Sequence, residues 1–70
     1  MIGLYLVTVR CQPHDAKTRE PRGNAYNFVG RVNAASRSQA MTLGAAAARS
    51  AHGRGDTFVT AKTTSAVKIA

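Results

Sequence analysis

The chain has 70 residues, with ten lysines and arginines against three acids, a formal net charge of +7 and a pI near 10.9. That length implies one domain, and that charge directs the chain toward polyanions or acidic protein surfaces. The three acids, Asp15, Glu20 and Asp56, are too few and too dispersed for paired-carboxylate catalysis.

The core is leaner than the 44% hydrophobic content implies, because thirteen of those residues are alanine and none is tryptophan. A buried methylene is worth about 0.8 kcal/mol, so alanine adds little. A domain this small and lean is expected to complete its burial on a second copy, as a homodimer, or on a target. The lone Cys11 cannot form an internal disulfide, which fits a reducing cytoplasm. The apolar start, Ile2 to Val7, lacks the basic flank of a leader and reads as a strand. No apolar run approaches the roughly 20 residues of a membrane span, so no membrane partner is expected.

Ile2 to Cys11 is the first predicted strand. Leu4, Leu6 and Thr8 alternate with Tyr5, Val7, Val9 and Cys11. Both sets are largely apolar, which predicts a central strand covered on both faces. Gln12 to Asn24 holds Pro13, Pro21, Gly23, Lys17, Arg19 and Arg22 without periodicity, and reads as a long basic loop. Tyr26 to Ala34 is the second strand, with Tyr26, Phe28, Gly30 and Val32 on one face. Mid-strand Gly30 suggests a bulge or close helix packing.

Ser36 to His52 is a helix. Ser36 and Gln39 have capping-box spacing, and Gly53 is the expected stop. Ala40, Leu43, Gly44, Ala47 and Ala51 form a small-residue stripe predicted to face a sheet. Gly44 costs about 1 kcal/mol against alanine in a helix, so a close backbone approach is expected there. A turn at Gly53 to Asp56 leads to strand from Thr57 to Ile69. The polar run Lys62 to Ser65 predicts a break into two short strands. The order is β, loop, β, α, β, with a further β if that break exists. This is one α+β domain over residues 1–70, with a single helix on a small antiparallel sheet of three or four strands.

Reactive motifs are scarce. Cys11 and His14 are a conceivable nucleophilic pair or half a metal site, but a structural zinc needs four ligands. His52 at the helix end reads as a complement to the helix dipole. Arg54-Gly55-Asp56 matches an adhesion triplet, yet glycine and aspartate are ordinary turn residues after a helix. No phosphate-loop or dinucleotide spacing occurs. The expectation is no enzyme, no cofactor and no metal.

The cations are therefore the functional signal. Seven of the ten are arginine, which suits bidentate contact with phosphate or carboxylate. Arg10, Lys17, Arg19 and Arg22 group at the loop. Arg31 lies on the mixed face of the second strand, and Arg49 and Arg54 form a second patch at the helix end. These seven are the candidate partner-binding residues. The aromatics, Tyr5, Tyr26, Phe28 and Phe58, are few for a single-strand stacking platform.

Val29 to Ile69 resembles small phage-encoded inhibitors of type I CRISPR complexes, the anti-CRISPR proteins. The shared pattern is a strand ending Val32-Asn33-Ala34-Ala35-Ser36, an alanine-rich helix with Gln39, Ala40, Ala47 and Ala48, then Gly53 and a Phe58-Val59 strand. The resemblance implies a non-catalytic protein that binds a CRISPR surveillance complex in the host cytoplasm, and it carries over no individual functional residue. Many such inhibitors are acidic DNA mimics. This basic chain would instead meet an acidic or mixed surface of a nucleic-acid-handling complex. The alternatives are a sequence-independent DNA- or RNA-binding protein using the same cations, and a virion structural or assembly protein.

Overall fold

The structure, a computed structural model, describes residues 2–52 and 55–70. The expected helix stop at Gly53, the cation Arg54 and the side chain of His52 lie outside the described set. Three strands, β1 (Gly3–Asp15), β2 (Tyr26–Ala34) and β3 (Thr57–Lys68), and one helix, α1 (Arg37–His52), follow in the order β1-β2-α1-β3. The sheet is antiparallel with β1 in the centre, β2 on one side and β3 on the other. The helix packs on one face, giving an α+β fold. A 13-residue strand at about 3.4 Å per residue spans roughly 44 Å, and the molecule measures 42 × 17 × 15 Å.

The cap at Ser36 forms as expected, and only the return bond from the Gln39 side chain is shifted, to Ala35. Gln39 N–H donates to Ser36 Oγ at 3.1 Å, and Gln39 Oε1 accepts from Ala35 N–H at 2.6 Å. These bonds satisfy donors that a helix start leaves orphaned.

The buried helix face is Ala40, Gly44 and Ala48, with Met41 and Ala45 half-buried beside it. The expected stripe is thus rotated: Ala40 and Gly44 belong to it, whereas Leu43, Ala47 and Ala51 are exposed. Ala40, Gly44 and Ala48 follow a strict i, i+4 spacing, the row that meets a flat sheet most closely. A Cβ on Gly44 would sit 2.8 Å from Val7 Cγ2, so the expected close approach is real.

Tyr5, Val7, Val9 and Cys11 of β1 are buried beneath α1. The other face of β1 is not covered, contrary to the sequence expectation. Leu6 and Arg10 are exposed and Leu4 and Thr8 half-buried. β1 is central within the sheet, but the only helix among the described residues occupies one face. Nor is there a bulge at Gly30: the β1–β2 register runs unbroken from Gly3↔Ala34 to Cys11↔Tyr26. Gly30 instead leaves room for the Phe28 ring, whose Cε2 would lie 3.0 Å from an added Cβ.

Two further expectations change. The strand β1 continues through Asp15, so Gln12 to Asn24 is not one open loop. The chain reverses at residues 16–19 and returns alongside β1, with Asp15 N–H donating to Glu20 O (2.9 Å), Arg22 N–H to Pro13 O (2.9 Å) and Gln12 Nε2 to Gly23 O (3.2 Å). The last strand is single and unbroken. The register moves from Thr8↔Ser65 to Val9↔Thr63, which makes Thr64 the extra residue of a β-bulge. The polar run serves that bulge: Thr64 Oγ1 donates to Thr8 O at 3.3 Å, and buried Thr63 Oγ1 donates to Met41 O at 2.6 Å.

Gly44→Ala should destabilise the fold by about 1–3 kcal/mol in urea unfolding, despite alanine's better helix propensity. Adding Val7→Ala should make the pair non-additive, because the second change removes the clash. Ala48→Glu should abolish folding, while Ala47→Glu should stay within about 0.5 kcal/mol of the parent.

Candidate polyanion-binding surface

The uncovered sheet face carries three cations, Arg10, Arg31 and Lys62. Alternation along β1 puts Leu4, Leu6, Thr8, Arg10, Gln12 and His14 on that face. Their neighbours on β2 are Asn33, Arg31, Val29 and Asn27, opposite Leu4, Leu6, Thr8 and Arg10 in turn. On β3, Val67, Ser65, Lys62, Thr60 and Phe58 lie opposite Leu6, Thr8, Arg10, Gln12 and His14. The face therefore has an apolar end, a cationic middle and an aromatic end.

Arg10 and Lys62 are direct cross-strand partners in the middle. Like charges directly opposite one another are destabilising. Arg10 Nη1 donates only a long bond, 3.5 Å, to Asn27 Oδ1. Among the described residues the ion pairs involve only Arg22. Lys62 also reaches the groove between β3 and α1, where Arg49, Met41, Thr42, Ala45 and Thr63 line an open space of about 420 Å³. Arg49 and Lys62 thus carry the cationic surface around the β3 edge. Arg31 lies four residues along β2 from Asn27, about 13 Å from the Arg10 row.

The reversal at residues 16–19 is electrostatically different. Arg22 Nη1 lies 3.3 Å from Asp56 Oδ2 and 3.9 Å from Asp15 Oδ2. Asp15 Oδ1 accepts from Lys17 N–H (2.8 Å) and Thr18 N–H (3.1 Å). Glu20 lies beside Lys17 and Arg19 in sequence. The three acids of the chain therefore collect where Lys17, Arg19 and Arg22 are, and that end has no net charge. The +7 belongs to the other cations: Arg10, Arg31, Arg37, Arg49, Arg54, Lys62 and Lys68.

Of the sequence-nominated residues, Arg10 and Arg31 share the open sheet face about 13 Å apart, Arg49 lies on α1 beside the β3 edge, and Lys17, Arg19 and Arg22 group apart with the acids. Lys62 was not nominated. Its signal was register: only the β1–β3 pairing shows that it stands opposite Arg10. Arg37 is engaged in the fold, with Nε donating to Ala66 O at 3.2 Å.

Cys11 and His14 are three residues apart on one strand, so their side chains emerge on opposite faces. Cys11 is buried beneath α1, and burial pushes its thiol pKa up. That favours the unreactive protonated form. His14 stacks on Phe58 with centroids 5.1 Å apart and planes 10° from parallel. Its ring nitrogens lie 3.2 Å from Arg19 O and 3.2 Å from Thr60 Oγ1. No cluster of three or more metal-ligating side chains occurs among the described residues, and no described helix is long and apolar enough to cross a membrane. Comparison with protein-family models, with curated proteins and with solved structures gives no match for this chain.

The backbone N–H groups of Thr18 and Lys17, aided by Arg22, hold the Asp15 carboxyl below the ordinary 3.8. A depressed folded value stabilises the turn above the unfolded value, and that contribution is lost as pH falls through the folded one. Acid titration should loosen this turn below about pH 4, read as faster amide exchange at Lys17, Thr18 and Arg19. Asp15→Asn should remove that pH dependence.

Proposed function

We propose that this chain is a non-catalytic binding protein whose ligand is a polyanion, and that the polyanion is nucleic acid. It lies across the middle of the open sheet face, on Arg10 and Lys62, with Arg31 further along that face and Arg49 around the β3 edge. The observation that carries this reading is the Arg10–Lys62 pair, two like charges opposed on adjacent strands of a face with no carboxylate. Such a pair costs stability in the free protein, and a phosphate backbone relieves it. Asn27, Thr60 and Gln12 border the pair and supply neutral hydrogen-bonding groups for sugar and phosphate. The stacked His14 and Phe58 rings lie further along the same face and offer an aromatic edge to a single strand. Contacts of this kind read charge and shape, so binding is largely independent of sequence.

A second reading is favoured by one feature, the apolar side chains at the other end of the same face. Cations beside exposed apolar groups also suit docking on an acidic protein surface, such as a nucleic-acid-handling complex, as the anti-CRISPR resemblance implies.

Salt separates the two. Fluorescence anisotropy with a single-stranded oligonucleotide should give log Kd rising linearly with log salt. Changing Arg10, Arg31 and Lys62 together to glutamine should weaken binding about tenfold or more and lower the slope by about 2. Lys17→Gln with Arg19→Gln should leave affinity within about twofold. Equal loss in both variants would place the ligand at the turn. No oligonucleotide binding, with capture of a protein complex that survives nuclease, would establish the docking reading instead.

A further inference from the structure

The groove between α1 and the edge of β3 has a chemistry of its own. Met41, Ala45 and Arg49 follow i, i+4 spacing along one row of α1, with Thr42 beside them. Lys62 and Thr63 form the opposite wall. Met41 and Ala45 are half-buried, so the floor is apolar, while Arg49 and Lys62 are exposed and put a cation on each wall. Among the described residues neither cation pairs with a carboxylate. At about 420 Å³ the groove lies at the small end of the roughly 300–1,000 Å³ of ligand sites. Its hydroxyls narrow the ligand further. Thr63 Oγ1 donates to Met41 O at 2.6 Å, and Thr42 Oγ1 donates to Ser38 O at 3.3 Å. A hydroxyl has one hydrogen, so both are spent inside the fold and both oxygens are left as acceptors. The complementary ligand therefore brings negative charge for Arg49 and Lys62, donors for the threonines and an apolar face for Met41 and Ala45. A nucleotide has all three, in its phosphate, its sugar hydroxyls or base amino group, and its flat base.

Lys62 belongs to two surfaces, standing opposite Arg10 on the open face and lining this groove. We infer that the nucleic acid bound across Arg10 and Lys62 is a single strand, which turns over the β3 edge and seats one nucleotide in the groove, its phosphate between Lys62 and Arg49. This deepens the nucleic-acid reading and rests on it. Stiffness keeps a duplex from the same path. The open face and the helix lie on opposite sides of a molecule only 17 × 15 Å across its long axis. A duplex holds its direction over about 50 nm and takes about 34 Å for one helical turn, so it meets the face or the groove, not both. A single strand has no such stiffness. The path also gives Arg49 a role that the open face alone does not: it is the cation on the far side of the edge. Selection of single strand over duplex then follows from the shape of the protein, with no base read in a groove of the nucleic acid.

Fluorescence anisotropy on the full chain, with a single-stranded oligonucleotide of about 12 nucleotides and with the duplex of the same sequence, reads the path along a salt series. Arg49→Gln should weaken the single strand about fivefold and lower its log–log salt slope by about 0.7, while the duplex changes less than about twofold. Ala45→Leu fills the groove without changing charge and keeps a good helix former. It should weaken the single strand about threefold and spare the duplex. Arg10→Gln, on the open face, should weaken both. An Arg49→Gln variant that weakens both forms equally, or neither, overturns the inference and leaves the open-face reading standing. So does a folded Ala45→Leu variant that binds the single strand as the parent does. A parent that binds neither oligonucleotide removes the open-face reading and this inference together. Should Ala45→Leu fail to fold by far-UV circular dichroism, the exposed Arg49→Gln change decides alone.

Discussion

The contact between Gly44 and Val7 sets the dimensions of the molecule. At this point the helix lies so near the sheet that a single Cβ would meet a valine methyl at 2.8 Å. Ala40 and Ala48, one turn to either side, are small for the same reason. A close helix leaves room only for short side chains beneath it, so the core is valine, alanine and cysteine with Tyr5 at one end. Tight packing of small groups gains dispersion energy but buries little area per residue. The larger aliphatic side chains then have no place under α1, and several of them emerge on the face that the helix does not cover.

The bulge at Thr64 decides which residues those are. Before it, Val59, Ala61 and Thr63 face the helix. After it, Ala66 takes over, and Ser65, Val67 and Ile69 turn outward. Were Thr64 paired in regular alternation instead of bulged, Val67 and Ile69 would lie beneath α1, since one-residue shifts exchange the two faces of a strand. Thr64 and Thr63 hold the irregularity with hydrogen bonds to Thr8 O and Met41 O. Two threonines thereby separate β3 into one portion whose outward set is Lys62, Thr60 and Phe58 and another whose outward set is Ser65 and Val67.

Charge is distributed with equal economy. The carboxylates gather at one end of the long molecule, where Asp15 caps a reversal and Arg22 bridges Asp15 and Asp56. The turn is held by local bonds strong enough to keep Arg19 at a φ of 64°, an unusual backbone state for a side-chain-bearing residue. The rest of the molecule is left without anions among its described residues. Neutral cation-bearing surface around Arg22 and unneutralised surface around Arg10 and Lys62 are thus products of the same clustering.

Much of this was legible in the chain alone. Tyr26 to Ala34 shows its strand and its buried parity by alternation, and Ser36, Gln39 and the alanine run show the helix and its cap. The small residue at Gly44 signals a close approach. These properties depend on near neighbours in sequence, where backbone periodicity and local hydrogen bonds dominate. Only tertiary structure decided the rest. One helix covers one face, so the two apolar sets of β1 meet different fates although their composition is similar. The helix settles on Ala48 rather than Ala47 because the sheet accepts its closest row there. Lys62 faces Arg10 because residues 52 apart pair in register, and Arg22 is neutralised by Asp56 from 34 residues away. Pairing across such separations is set by burial of the whole sheet, and no local stretch of sequence contains it.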